Sequence, residues 1–92
     1  MDFTIDDEVA TQQLPRVVID SIKYIKTLPD GKLITSAHLA AAINISRIHL
    51  KTFTGYPQFT AHKVHAVHNG SRQNLYGNER TIDEYRQRFD NA

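Results

Sequence analysis

Cysteine is absent from the 92 residues. That excludes a disulfide scaffold, a thiol nucleophile and any cysteine-based zinc site, and it fits a reducing compartment. Long apolar runs are missing as well, for none approaches the roughly 18–20 residues needed to span a bilayer. The opening MDFTIDDEVA is acidic, the reverse of the basic start of a signal peptide. No glycine-rich phosphate loop occurs, and Ser, His and Asp are present without a spacing that brings them together as a catalytic set. What is there is ordinary globular material: 40% hydrophobic and 23% charged residues, which excludes wholesale disorder. A chain of this length supports one core and no interdomain cleft. The expectation is a soluble cytoplasmic domain that is not an enzyme, takes no cofactor and has no business with a membrane.

Carboxylates are missing from one long stretch. None lies between Asp30 and Glu79, and the same 48 residues carry Lys32, Arg47, Lys51, Lys63, Arg72 and all five histidines (His38, His49, His62, His65, His68). The acids gather at the ends, Asp2, Asp6, Asp7 and Glu8 in front and Glu79, Asp83, Glu84 and Asp90 behind. Chance produces such gaps in short chains, so the pattern needs a fold to give it meaning. Its sharper reading is an electropositive surface made for a polyanion.

Residues 1–13 have too few apolar anchors for a clean period and read as an acidic arm ahead of a domain over 14–90. Pro15 suits the first turn of a helix, where a missing N–H costs nothing. Leu14, Val18, Ile22 and Ile25 then recur at helical spacing, and Leu28-Pro29-Asp30-Gly31 stops the pattern, so helix 1 is expected over Pro15–Thr27. Lys32-Leu33-Ile34 reads as one extended pairing segment. Thr35 or Ser36 caps a second helix, Ala37–Ala42, and Ser46 caps a third that runs to about Thr54 before Gly55-Tyr56-Pro57. Phe59–Val67 and Arg72–Tyr76 flank Asn69-Gly70, the strongest short hairpin signal, and read as two strands. Thr81 with Glu84 has capping-box form and opens a last helix, whose core face holds Ile82, Tyr85 and Phe89. The fold class expected is mainly α with a small β-hairpin.

The segment from Ser36 to Phe53 meets the steric demands of two helices crossing steeply over a short turn. Ala40 is small where the helices approach, Leu39 and Ile43 are apolar around it, and Ile45, Leu50 and Phe53 face back to the core. Asn44 stands where the left-handed conformation is needed, the most permissive residue after glycine. The stretch Thr35-Ser36-Ala37-His38-Leu39-Ala40 through Ile45-Ser46-Arg47 is similar to the helix-turn-helix signature of small phage and plasmid regulators. Downstream, Gly55-Tyr56-Pro57-Gln58-Phe59, Gly70-Ser71-Arg72, Tyr76 and Thr81-Ile82-Asp83-Glu84-Tyr85 resemble the wing and closing helix of excisionase/AlpA-like winged helices. Asn44 in place of the commoner glycine, and the lack of a second proline after Phe59, are departures from that pattern. The resemblance implies a winged helix-turn-helix that binds specific double-stranded DNA, as a transcriptional regulator or a recombination or packaging accessory of a phage or mobile element.

In that arrangement the third helix enters the major groove with Ser46, Arg47, Ile48, Lys51 and Thr52 outward. Arg47 suits a guanine edge, Lys51 a guanine or a phosphate, and Ile48 or Thr52 a thymine methyl. Amides near Ser36 suit a phosphate. Lys63 belongs to the basic span, and Asn69, Ser71, Arg72, Gln73 and Asn74 form the wing tip, with Arg72 suited to a minor groove. So few cations neutralise few phosphates, so the chain is expected to bind as a dimer or array on repeated or palindromic sites. The histidines should make affinity rise as pH falls from about 8 to 6. His62-x2-His65-x2-His68 invites a metal, but neither strand nor helix spacing converges three imidazoles and no nearby carboxylate helps, so no metal site is expected. The alternative function is a winged-helix protein-interaction module, an adaptor or a host-directed inhibitor, without base-specific DNA binding.

Overall fold

A computed structural model describes residues 14–90; the acidic arm expected over 1–13 lies outside the described residues. Helix α1 (Arg16–Lys26) buries Val18 and Ile25 as its spacing predicts; Ser21, not expected there, is the third buried residue, and Ile22 is half-buried. Pro15 precedes it and its carbonyl accepts from the amides of Val18 and Ile19. Lys23 and Lys26 occupy the last turn, where cations suit the negative end of the helix. The boundaries fall within one residue of Pro15–Thr27 at each end.

Strand β1 (Ile34–Thr35) is only two residues long and starts later than the expected Lys32–Ile34. Helix α2 (Ser36–Ala42) follows at once, capped by Thr35, whose Oγ1 accepts from the His38 amide at 3.2 Å. Helix α3 (Arg47–Lys51) is capped by Ser46, whose Oγ accepts from the His49 amide at 3.0 Å. Between them the Ile45 amide donates to Ala40 at 3.0 Å and the Asn44 amide donates to Ala41 at 3.2 Å. Those two bonds are the Schellman closure, which needs a left-handed residue just past the helix. Asn44 supplies it, with φ of 62°.

Regular α3 ends at Lys51, short of the expected Thr54, although turns tightened to i−3 bonding carry the chain through Phe53 and Thr54. The tightening lets Phe53 stack on Tyr56 at 6.0 Å between ring centroids. The next difference is larger. Phe59–His62, expected as strand, belongs to a 3-10 helix, η1 (Pro57–His62). Pro57 at its start presets the helical φ, and the fully buried Phe59 sits edge-on to Tyr76 at 5.8 Å.

The hairpin is β2 (Lys63–His68) and β3 (Ser71–Tyr76), joined by Asn69 and Gly70 at φ of 51° and 84°. Positive φ at both central residues is the turn whose twist matches the strands. β1 adds to the far side of β3, so the expected hairpin is in fact a three-stranded antiparallel sheet in the order β1-β3-β2. Helices and this sheet together make an α plus small-β fold, with about half of the described residues helical.

Helix α4 (Glu79–Asp90) begins earlier than its expected Thr81 cap. The capping oxygen is Asn78 Oδ1, which accepts from the Thr81 amide at 2.7 Å. Asn78 Nδ2 donates to Leu28 O and Asp30 Oδ1, while Thr81 Oγ1 accepts from the Gly31 amide at 2.8 Å. Both side chains therefore tie the turn after α1 to the start of α4. Of the three residues expected on the core face of α4, Ile82 is buried and Tyr85 half-buried. Phe89 is 56% exposed, stacked on Tyr85 at 4.5 Å.

Apolar burial divides across the sheet. Val18, Ile25, Leu28, Ile34, Leu39, Ala40, Leu50, Phe59 and Tyr76 form the main core on one side. On the other, Val64, Ala66 and Leu75 pack on Ile82. Tyr76 is fully buried, and its hydroxyl has no hydrogen bond of good geometry. Burial raises its phenol above the ordinary value of 10.0, and weaker help from Ser36 and Asn74 to the charged form acts the other way.

Two stability outcomes follow. Asn44→Gly should leave the urea midpoint unchanged or slightly raised, whereas Asn44→Val should cost about 1–2 kcal/mol through the left-handed backbone. Equal stability of all three proteins would contradict the Schellman turn. Because the folded phenol of Tyr76 titrates higher than the unfolded one, its contribution is intact below about pH 10 and is lost as pH rises further. Tyr76→Phe should flatten the decline in stability between pH 9 and 11 relative to the parent, about as linkage requires; parallel declines would rule out the buried phenol as a cause.

Candidate nucleic-acid interface

The outer side of α3 follows from its inner side. Leu50 is fully buried, which turns Arg47, Ile48 and Lys51 away from the core on one face, at the i, i+3 and i+4 spacings that make helical neighbours. The hairpin stands across from that face. Register pairs His65 with Asn74 and Val67 with Arg72, on the same side of the sheet as Tyr76 and Lys63, hence toward the helices. Between hairpin and helix lies a groove of about 630 Å³. Arg47, Ile48, Lys51 and Thr54 line one wall, and His65, His68, Asn69, Arg72, Gln73 and Asn74 the other, with Thr35, Ser36 and Ala37 of the β1–α2 junction completing it.

Among the described residues no carboxylate lines this groove, and three guanidinium or ammonium groups do, those of Arg47, Lys51 and Arg72. Among the described residues, the ion pairs engage Arg16 with Asp20, and Arg80 with Asp30 and Glu84, and none involves those three cations. Part of the acid-free span, including Arg47, Lys51 and Arg72, thus folds into one concave surface. Its chemistry is that of a site for a polyanion: cations for charge, with hydroxyl, amide and imidazole groups for hydrogen bonds.

The hairpin side chains are partly ordered by each other. His65 Nδ1 lies 3.1 Å from Asn74 Oδ1, a hydrogen bond in which the ring N–H donates. Gln73 Nε2 donates to the His68 carbonyl at 3.1 Å. The other three histidines are used elsewhere. His38 meets the Tyr24 hydroxyl at 3.3 Å, His49 stacks on Phe53 at 5.5 Å, and His62 is buried with Nδ1 3.2 Å from the Gly77 carbonyl. His62 closes η1 while His65 and His68 belong to β2, so the three do not converge; among the described residues no three of His, Asp or Glu group as a metal site.

Seven of the residues singled out in the sequence line the groove: Ser36, Arg47, Ile48, Lys51, Asn69, Arg72 and Gln73, and Asn74 joins them. Four do not. Ser46 is exposed but its hydroxyl caps α3. Thr52 is exposed at the C-cap of α3, and Ser71 is exposed at the hairpin turn, both outside the lining. Lys63 is half-buried and its ammonium donates to the Thr54 carbonyl at 2.7 Å, so it ties the segment after α3 to the base of β2 rather than facing a ligand. Thr35, Ala37, Thr54 and the specific choice of His65 and His68 were not picked out. For the two histidines a signal existed: once Asn69-Gly70 is the centre of a two-residue turn, counting outward sets His65 opposite Asn74.

No helix among the described residues is long and apolar enough to cross a membrane. No family model, curated protein or solved structure matches the chain.

Proposed function

We propose that the protein is a winged helix-turn-helix that binds double-stranded DNA, with α2 and α3 as the paired helices and the β2–β3 hairpin as the wing. One observation carries this reading: a groove lined, among the described residues, by cations and no carboxylate is walled by the outer face of α3 and by the hairpin at once. A major groove admits an α-helix and displays a distinct pattern for each base pair, so α3 is the reading element. Arg47, at the first position of α3, suits a bidentate contact to guanine, and Lys51 one turn later suits a guanine or a phosphate. Arg72 and Asn69 reach the neighbouring minor groove or backbone. A small transcriptional regulator, or an accessory factor in recombination or packaging, uses a domain of this kind.

Three fixed cations give a salt slope of only about −2.7, at about −0.9 per phosphate neutralised. A single domain therefore holds DNA weakly at physiological salt, and tight binding comes from pairs or arrays on repeated or palindromic sites.

Two experiments test this. Replacing Arg47 and Lys51 by Ala should shorten retention on heparin and weaken mobility shifts of duplex DNA by about tenfold or more. Wild-type shifts should proceed by two or more protomers per site. Unchanged retention with an intact fold would favour a protein-interaction module, and a single tight 1:1 complex would remove the pairing.

A further inference from the structure

Ile48 is the most exposed large hydrophobic residue of the described chain, at 80%. Scattered exposed aliphatics are common on proteins and by themselves mean little. This one differs in its company: it shares the groove wall with Arg47 and Lys51, with polar and cationic side chains facing it from the hairpin. Its neighbour in sequence, His49, is stacked on Phe53, and Leu50 is fully buried. Among the described residues no side chain covers Ile48 that would explain an aliphatic group there, and the groove that holds it suits a polyanion.

Base edges in the major groove are polar except at one point, the methyl on C5 of thymine, which 5-methylcytosine also carries. We infer that Ile48 is a specificity-determining residue that reads this methyl, in the base pair next to the one read by Arg47. The inference rests on the DNA-binding reading above and adds to it a base identity. Thr52, the other residue of the sequence suited to such a contact, lies outside the groove lining, which leaves the role to Ile48. The spacing supports neighbouring base pairs. Consecutive Cα atoms are about 3.8 Å apart, close to the roughly 3.4 Å between successive bases of one strand. Arg47 and Ile48 open α3 together, so their side chains start from adjacent points on the same helical turn.

The test begins with duplexes selected by the wild-type chain from a random pool. Each thymine of the best duplex is replaced in turn by uracil, which removes only the methyl. Uracil at one position of the site should weaken wild-type binding about fourfold, the worth of one buried methyl. Ile48→Ala, which alters an exposed residue, should keep its circular dichroism and its dependence on the selected guanine but bind thymine and uracil duplexes alike. At that same position cytosine should bind worse than 5-methylcytosine in the wild type and equally in Ile48→Ala. Indifference of the wild type to uracil at every position, or retention of the discrimination by Ile48→Ala, overturns the inference while leaving DNA binding in place. If the wild type enriches and shifts no duplex at all, the DNA-binding reading fails and the inference falls with it.

Discussion

The bond from the Ile45 amide to the Ala40 carbonyl, closed over a left-handed Asn44, is the constraint on which the rest of the molecule depends. It stops α2 and turns the chain within four residues, so that α3 starts with its direction already set. Leu39, Ala40 and Leu50 can then be buried together against Val18 and Ile25 of α1. Everything outward on α3 follows from that burial. Regular α3 has five residues and a single buried anchor, Leu50, so its orientation is set by the turn before it and the Phe53–Tyr56 packing after it. An isolated helix of that length has no stability of its own in water.

The same turn explains why charge concentrates where it does. A span with no carboxylate does not by itself make a positive surface, since its cations can scatter over the molecule. Here the chain doubles back twice, at Asn44 and at Asn69-Gly70, and brings Arg47, Lys51 and Arg72 around one cavity. Lys63 departs from that company because the Thr54 carbonyl, left over where the turns after α3 end, takes its ammonium. Like charges in a concave surface repel one another, and a folded domain retains such an arrangement at some cost to stability. Under the DNA-binding reading proposed above, a polyanionic ligand would offset that cost.

Much of this was legible in the residues. The burial of Val18 and Ile25, the caps Thr35 and Ser46, Asn44 as the left-handed position and Asn-Gly as a hairpin all rest on local chemistry, and local chemistry decides them. The differences come from tertiary effects. Phe59–His62 has the β-branched and aromatic look of a strand, yet Phe59 reaches its place against Tyr76 from a 3-10 turn launched by Pro57. Thr81 looks like a cap because Glu84 follows it, but the Gly31 amide, fifty residues away in sequence, takes its hydroxyl and leaves the capping to Asn78. Strand β1 is two residues long and is defined only by its partner β3. No local pattern reports a partner that distant. The site shows the same division: Arg47, Ile48 and Lys51 are readable from the helix period, whereas the inward turn of Lys63 is not.

Hairpin register joins the core to the groove in a way that leaves little freedom between them. Side chains alternate across a strand, so the pairing of Val64 with Leu75 that buries both against Ile82 also fixes His65, Asn74 and Arg72 on the opposite face. A slip of one residue would put Val64 and Ala66 into the basic groove and His65 against Ile82. The energy of that error is set by the apolar side, which is dry, while its chemical consequence falls on the polar side, which is wet. The two-residue turn at Asn69-Gly70 therefore protects the composition of the groove without touching any ligand. Its left-handed backbone excludes the alternative register before the groove side chains have any say in the matter.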